Sequence, residues 1–353
     1  MILDANAQSF IQTDILPKAV DTLNSGNALT QFLLNNTKTW SGRLLERPII
    51  IGSAGNGGSF SGLDKFSTNT TDTKVKASFD PRGYEQPVVL PQMEIDIARA
   101  SDSSIEIVAA SIEEAVNEMA DNLGDLFYGD GTGNTSKDFL GLAAAVDDGG
   151  EVATYGGISR STYTTWKSYE ADQGGALTLA AMANAFDAAT HGSDRPTVIL
   201  TTEAIRSAYE TLLTPTLRHT DGLKTVLPNG KISMDGTMAG HSGDLGFTGT
   251  FYRGVPIIAD EKATAGTMYF LNLKHLAFYR LKSTAEGYTN VKLGGNTQID
   301  GVYSDQFASS AAGFDWSGFM MPEDQYASVG HLILMGNLVT FNPNRHAVIN
   351  TIS

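Results

Sequence analysis

Residues 104 to 128 carry an apolar stripe of helical period, and it follows directly on a stretch, residues 46 to 100, that reads as extended and coreless. The stripe runs through Ile105, Val108, Ile112, Ala115, Met119, Leu123 and Leu126, at spacings of three and four. Ser103 and Glu106 stand in the S-x-x-E spacing of a capping box, where hydroxyl and carboxylate satisfy free backbone donors at a helix start. Gly129 is placed to supply the left-handed residue that ends the helix. A rod of this length spans about 37 Å. Its other face carries Glu106, Glu113, Glu114, Glu118, Asp121 and Asp125. The last two oppose the helix dipole, so a balancing cation is expected from outside the helix, on a neighbouring subunit. The helix alone fits an ordinary globular domain equally well.

The stretch before it supplies the contrast. Thr73 to Phe79 alternates, with Val75, Ala77 and Phe79 on one side and Lys74, Lys76 and Ser78 on the other. Asp80-Pro81-Arg82-Gly83 is a turn signal, and a return strand is expected from Tyr84 towards Ala98, confined to an edge by Pro87 and Pro91. Arg47 to Ile51 is a further short strand, followed by a glycine-rich loop from Gly52 to Gly58. A ribbon with so few large apolar residues is marginal in water by itself. It is expected to lie on another subunit.

Downstream, residues 129 to 175 are punctuated by glycine. A denser lobe follows: an Ala-rich helix over 176–190, a buried strand from Pro196 to Leu200, and a helix carrying Ile205, Ala208, Tyr209 and Leu212 with Thr202 as its cap. Short strands are read at 250–252, 255–258, 268–271 and 276–279. Residues 281 to 325 are polar, and apolar strands close the chain at 329–340 and 347–352. Helices mixed with short strands, without regular alternation, predict an α+β fold. Residues 1 to 45 read as an N-terminal arm broken at Leu16-Pro17, with a helical patch at Leu29, Phe32 and Leu33.

Composition excludes several classes. The 353-residue chain is 41% hydrophobic, ample for real cores, and has no cysteine, hence no disulfide framework, thiolate metal site or cysteine nucleophile. No signal-peptide pattern or membrane-length apolar run is present. The formal net charge of -15, with scattered Lys and Arg, argues against dedicated nucleic-acid binding. An acidic surface around nucleic acid would instead keep it from sticking. The glycines at 52, 55, 57 and 58 make neither a dinucleotide fingerprint nor a P-loop. Asp130, Asn134 and Asp138 lack the Gly and closing Glu of a calcium loop and read as a solvated turn. The six histidines have no metal-ligand spacing, and there is no G-x-S-x-G elbow. No catalytic residue, metal or cofactor is assigned.

The order of these segments resembles the major capsid protein of tailed bacteriophages. Phe127-Tyr128-Gly129-Asp130-Gly131, Phe139-Leu140-Gly141-Leu142, Tyr155-Gly156-Gly157-Ile158-Ser159-Arg160, Gly254 to Asp260, and Val329-Gly330 with Gly336 to Val339 carry the resemblance. Each motif is weak alone; their shared order spans nearly the whole chain. The resemblance implies an HK97-like capsid fold: an N-arm at 1–45, an extended hairpin E-loop at 46–100, a P-domain at 101–175 with spine helix 104–128, an A-domain at 176–280, a P-domain return at 281–325 and C-terminal strands at 326–353. It implies a coat subunit that assembles with itself into pentamers and hexamers of an icosahedral head enclosing dsDNA without reading its sequence. It further implies a separate scaffolding protein, since no long segment precedes the helix, together with a portal, assembly in the host cytoplasm, and no membrane. Lys65, Lys74, Lys76, Arg82, Glu113, Glu118 and Asp121 are the expected intersubunit contacts. Two other readings stay open: a soluble α+β enzyme of hydrolase type with a long insertion at 46–100, and an encapsulin-type cargo shell with the same fold.

Overall fold

The computed structural model describes residues 27–52, 57–65, 72–99, 104–217, 250–281, 315–317 and 319–353. The arm before residue 27 with its Leu16-Pro17 break, the capping serine Ser103, the middle of the glycine-rich loop and most of 281–325 lie outside them. Along the chain, α1 (Ala28–Asn35) leads into β1 (Lys38–Trp40), β2 (Leu45–Ile50), β3 (Lys74–Phe79), β4 (Arg82–Pro91), α2 (Gln92–Arg99) and the long α3 (Ser104–Tyr128). The short β5 (Thr154–Tyr155) and β6 (Ile158–Ser159) precede β7 (Tyr169–Gly175), α4 (Leu179–Ala189), β8 (Val198–Thr201) and α5 (Glu203–Leu217). Then come β9 (Thr250–Tyr252), β10 (Val255–Ala259), β11 (Met268–Leu271), β12 (Leu276–Leu281), β13 (Asp315–Trp316), β14 (Ala327–Thr340) and β15 (Ala347–Ile352).

Two sheets organise this mixed α+β chain. One joins β1, β12, β14 and β13 in that order, with β4 also paired to β14; the other runs β7-β15-β11-β8-β10-β9. The spine helix α3 packs across β4 and buries Ile112, Ala115, Val116, Met119, Leu123 and Phe127, the stripe that the periodicity marks. The second sheet packs on α4, whose Thr178 hydroxyl caps it by accepting from the Ala181 N–H at 3.2 Å. β7 belongs to this second sheet, paired in parallel with β15.

Three local expectations are corrected. The strand from Tyr84 ends at Pro91, and Gln92–Arg99 is a helix. The partner of β3 is β2, in register from Leu45 opposite Phe79 to Ile50 opposite Lys74, whereas β4 pairs with β14 from Arg82 opposite Gly336 to Pro91 opposite Ala327. Among the described residues β4 pairs on one side alone, so Pro87 and Pro91 do occupy an edge. Finally, α3 ends at Tyr128, but the positive φ belongs to Gly131 at +79°, not to Gly129. There a Cβ would come within 2.7 Å of the Arg82 guanidinium.

The helix dipole misfit at Asp121 and Asp125 is resolved within the chain. Lys262, just after β10, reaches Asp121 at 2.6 Å and Asp125 at 3.2 Å. Beside it, the Asp260 carboxylate accepts from the Leu29 N–H at 2.8 Å and the Lys262 N–H at 3.0 Å. It thereby serves as a long-range cap for α1, whose own N-cap Asn27 makes no side-chain cap bond. Asn27 instead donates from Nδ2 to the Ala120 carbonyl at 3.1 Å. Glycine at 124 leaves room for both side chains: a Cβ there would lie 2.7 Å from that Asn27 nitrogen and 2.8 Å from Lys262 Cγ, so Asn27 and Lys262 would have to shift. Leu29, Phe32 and Leu33 are buried, worth about 1.5–3 kcal/mol each.

Replacing Asp260 with Ala should cost about 1–2 kcal/mol of stability in chemical denaturation. It should also accelerate limited proteolysis around residue 27. Unchanged stability and cleavage would show that α1 needs no cap from this carboxylate.

Candidate assembly site

The β2–β3 ribbon is rooted by aromatic packing and open above it. Phe79 meets Tyr155 edge-on at 5.1 Å and Phe341 at 5.9 Å, and the Arg47 guanidinium lies 4.8 Å from the Phe341 ring. Gly156, with φ +58°, passes directly under Phe79, where a Cβ would approach the ring to 2.5 Å. Its carbonyl accepts from the Ser78 N–H at 2.9 Å. The opposite face presents Glu46, Pro48, Ile50, Lys74 and Lys76 to solvent. Ile50 is 72% exposed, and Phe60 and Leu63 beyond it are exposed as well.

The residues singled out from the sequence fall into two groups. Lys65 and Lys74 are exposed on the ribbon. Lys76 bridges to Glu46 of the facing strand at 2.8 Å, a solvated pair of small energetic worth. Arg82, Glu118 and Asp121 are engaged in their own chain. The Arg82 guanidinium donates to the carbonyls of Gly131 (2.7 Å) and Asp138, joining the start of β4 to the loop after α3. Burial lowers its pKa, against the opposing pull of Asp80 and Asp138. Glu118 accepts from Gln86 Nε2 at 2.8 Å, and Asp121 holds Lys262. Glu113 lies on α3, its side chain outside the described residues. Of the suspected calcium-loop residues, Asp130 accepts from the backbone N–H and hydroxyl of Thr132 at 2.9 Å each, a self-satisfied Asx turn.

Below the ribbon lies a polar hub that sequence reasoning missed, although Tyr155 to Arg160 stood out as a motif. Arg160 is fully buried and its guanidinium donates to Asp147 Oδ2 (2.8 Å), Val152 O (2.9 Å), Ala144 O (2.8 Å) and Ala145 O (3.1 Å), with the Tyr155 ring 5.1 Å away. Burial lowers its pKa, opposed chiefly by the Asp147 charge. Asp147 also collects the N–H groups of Gly149, Glu151 and Val152. Glu170 on β7 closes the hub, accepting from Asn350 Nδ2 at 2.6 Å and the Asp148 N–H at 3.2 Å. Asp147, Asp148 and Glu170 offer oxygens within 4.8 Å of one another. Burial, with the neighbouring carboxylates, pushes Glu170 up to about 7, while the Asp148 N–H pulls the other way.

A second lacing ties the crossings between the two sheets. Asp194 meets His275 Nε2 at 2.6 Å and accepts from Asn272 Nδ2 at 3.2 Å, and His275 Nδ1 lies 2.9 Å from Asn342 Nδ2. His346 Nδ1 accepts from the Asn272 N–H, so its Nε2 carries the proton it shares with Thr340 Oγ1. Complete burial, and secondarily His275, lowers His346 to about 3. In both clusters the polar groups hold loops together.

Removing Arg160 strands Asp147 as a buried charge. Arg160→Met should therefore lower stability by about 3–5 kcal/mol, and adding Asp147→Asn should restore a large part of it. Simple additivity in denaturant titrations would contradict the hub. For pH, folded Glu170 keeps its proton up to about 7, whereas the unfolded side chain releases it near 4.5. Its stabilisation is complete below 4.5 and is lost as pH rises through 7. The melting temperature of Glu170→Gln should accordingly gain on the parent chain between pH 5 and 8. A pH-independent difference would show that Glu170 does not titrate in that window.

No family model matches the sequence, and no curated protein matches it either. Solved structures do. A cyanophage A-1(L) capsid chain aligns over 93% of both chains with a TM-score of 0.63 at 18% identity. The capsid of a native GTA particle aligns over 94% of this chain and 91% of that one, with a TM-score of 0.54 at 10% identity. The encapsulin of the holo-SrpI complex from Synechococcus elongatus covers 92% of this chain and 87% of its own, with a TM-score of 0.52 at 12% identity. The two-sheet α+β arrangement around a 25-residue spine helix is the HK97-like capsid fold.

Proposed function

We propose that this chain is a major capsid protein, which builds the icosahedral head of a tailed bacteriophage from many copies of itself. The observation that carries the reading is the β2–β3 ribbon, packed at its root and open to solvent along its outer face, in a chain whose fold matches a cyanophage capsid subunit over 93% of its length. An isolated two-stranded ribbon gains too little burial to justify its own ordering. A neighbouring subunit supplies the missing surface. The ribbon is the E-loop, the β4–β14 sheet with α3 the peripheral domain, and the six-stranded sheet with α4 and α5 the axial domain. Because β7 lies in the six-stranded sheet, the junction between the two falls before Tyr169.

On this reading the head encloses dsDNA without reading its sequence, consistent with a net charge of -15. A scaffolding protein and a portal are separate partners, and assembly takes place in the host cytoplasm. A cargo-enclosing shell of encapsulin type is the second reading, favoured by the TM-score of 0.52 with an encapsulin. The two differ in whether shells need a scaffold.

Purified protein, alone and co-expressed with a scaffold encoded beside it, should give closed shells or ring-shaped capsomers in negative-stain electron microscopy. Shells from the chain alone would favour the cargo reading, and uniform small oligomers in both samples would refute both. A ribbon truncation sharpens the test. Ala77 and Phe79 are core residues, so a deletion must stop short of β3. Because the Ile51 N–H still bonds the Thr73 carbonyl at 3.0 Å, replacing residues 53–71 with a two-residue Asn-Gly turn keeps the root. That variant should fold with the parent's melting temperature and form no shells.

A further inference from the structure

Among the described residues the chain crosses between its two large sheets three times, and one imidazole stands where the crossings meet. It enters the six-stranded sheet through Ser168 at the start of β7, leaves it through residues 272–275 between β11 and β12, and returns through residues 341–346 between β14 and β15. The first and third crossings touch directly. The Tyr169 N–H donates to the His346 carbonyl at 3.4 Å, and the Ser168 hydroxyl donates to the Pro343 carbonyl at 2.7 Å. The His346 ring ties in the second. Its Nδ1 accepts from the Asn272 N–H at 3.2 Å, and its Nε2 lies 3.1 Å from Thr340 Oγ1, which also accepts from the Asn342 N–H at 3.2 Å. Nearer solvent, Asn342 Nδ2 meets His275 Nδ1 at 2.9 Å, and Asp194 holds both His275 and Asn272.

The ring fits its place in one protonation state. A proton on Nδ1 would set two donors against each other, so taking it up requires the bond from Asn272 to break. His346 is fully buried. The charged groups on the elements packed around it are committed elsewhere. Lys274 extends towards Asp194 at 3.8 Å, and Asp194 is turned to His275, whose hydrogen bond holds it below the usual carboxylate range. Arg345 donates to the His191 carbonyl at 3.0 Å, and Glu170 on β7 is bonded to Asn350 and the Asp148 N–H. Burial, and then the charge of His275, lower the ring to about 3 from an ordinary 6.5. An opened junction returns it to that ordinary value. The closed junction therefore binds fewer protons than the open one. Its advantage is complete above 6.5 and is lost about tenfold per pH unit as pH falls from there towards 3.

We infer that the three crossings form an acid-released latch, in which neutral His346 clasps residues 272–275 to 341–346 and a proton on its Nδ1 lets the two turns part. Side-chain packing, as of Tyr128 on Tyr269, and the bridges from Lys262 to α3 then still join the two sheets. Such contacts tolerate small sliding, whereas a hydrogen bond directed at a ring nitrogen does not. Acidification thus becomes a signal that changes the subunit's shape while both sheets stay folded. The latch belongs to the single subunit and does not rest on the shell reading.

Hydrogen exchange on the full chain, in whatever assembled form it purifies, tests the latch. Protection is taken relative to intrinsic exchange at each pH, from about 7 down to about 4.5. Peptides covering 272–276 and 341–346 should lose protection about tenfold per pH unit below 6.5, while a peptide covering β8 keeps its own. Constant protection at the two turns, or a loss shared equally by β8, would overturn the latch. In His346→Gln the amide supplies an acceptor and a donor but takes up no proton, so the two turns should keep constant protection over this range. The parent's slope persisting in that variant would equally overturn it. Should His346→Gln not fold, Asp194→Asn decides: it removes the other titrating partner at the junction, and the slope should remain. Its disappearance there would assign the pH response to the Asp194–His275 pair and sink the role of His346.

Discussion

One buried guanidinium organises the middle of this molecule. Taking the charge of Arg160 out of water is tolerable because both terminal nitrogens find two acceptors each, the Asp147 carboxylate and the carbonyls of Val152, Ala144 and Ala145, with the face of Tyr155 beside them, while Nε alone goes without a partner. Ala144 and Ala145 end a single helical turn, so their carbonyls have no helical partner; Arg160 supplies a donor to each, and the Ser168 hydroxyl makes a longer contact of 3.4 Å to Ala145. The consequences spread outward. Tyr155, fixed beneath the guanidinium, supports Phe79 at the ribbon root, accepts the Thr340 N–H at its hydroxyl oxygen at 3.1 Å, and offers its carbonyl to Trp166 Nε1 at 3.0 Å. Asp147 gathers the loop that leads to β7. Ribbon root, strand β14 and the second sheet thus lean on one ion pair, whose value lies more in specifying a single arrangement than in net stability.

What could be read from the sequence was what depends on local period. The spine helix appears with the limits its apolar stripe indicates, and the strands at 250–252, 268–271 and 347–352 match their apolar runs. Helix α2 shows where period misleads. Met93, Ile95 and Ile97 alternate like a strand, yet Pro91 closes β4, Gln92 bonds back to the Tyr326 carbonyl, and Ile95 turns into the core while Met93 faces solvent. The tertiary setting overrode the pattern. For the acids late in α3, the dipole argument required a cation but could not place it. Lys262 lies well over a hundred positions away in the chain, and only the approach of β10 to α3 brings the two together. The hub was opaque for the same reason. Arg160 stood in a visible motif, but its meaning depends on Asp147 and on carbonyls, which sequence does not distinguish.

The open strand edges constrain what kind of contact copies of this chain can make. A bare edge invites backbone pairing and uncontrolled growth, and proteins block it with proline, charge and short strands. Here Pro48 interrupts β2, Pro87 and Pro91 interrupt β4, and Lys74 and Lys76 line β3. Proline has no N–H to donate, so another strand cannot zip along either edge. Along β2 and β4 a second copy would therefore be met by side chains on the strand faces. Ladder pairing would lock one geometry, whereas face packing allows small changes of angle at little cost. On the shell reading identical subunits sit in slightly different surroundings, and the prolines of β2 and β4 steer contacts along these two strands towards the second kind.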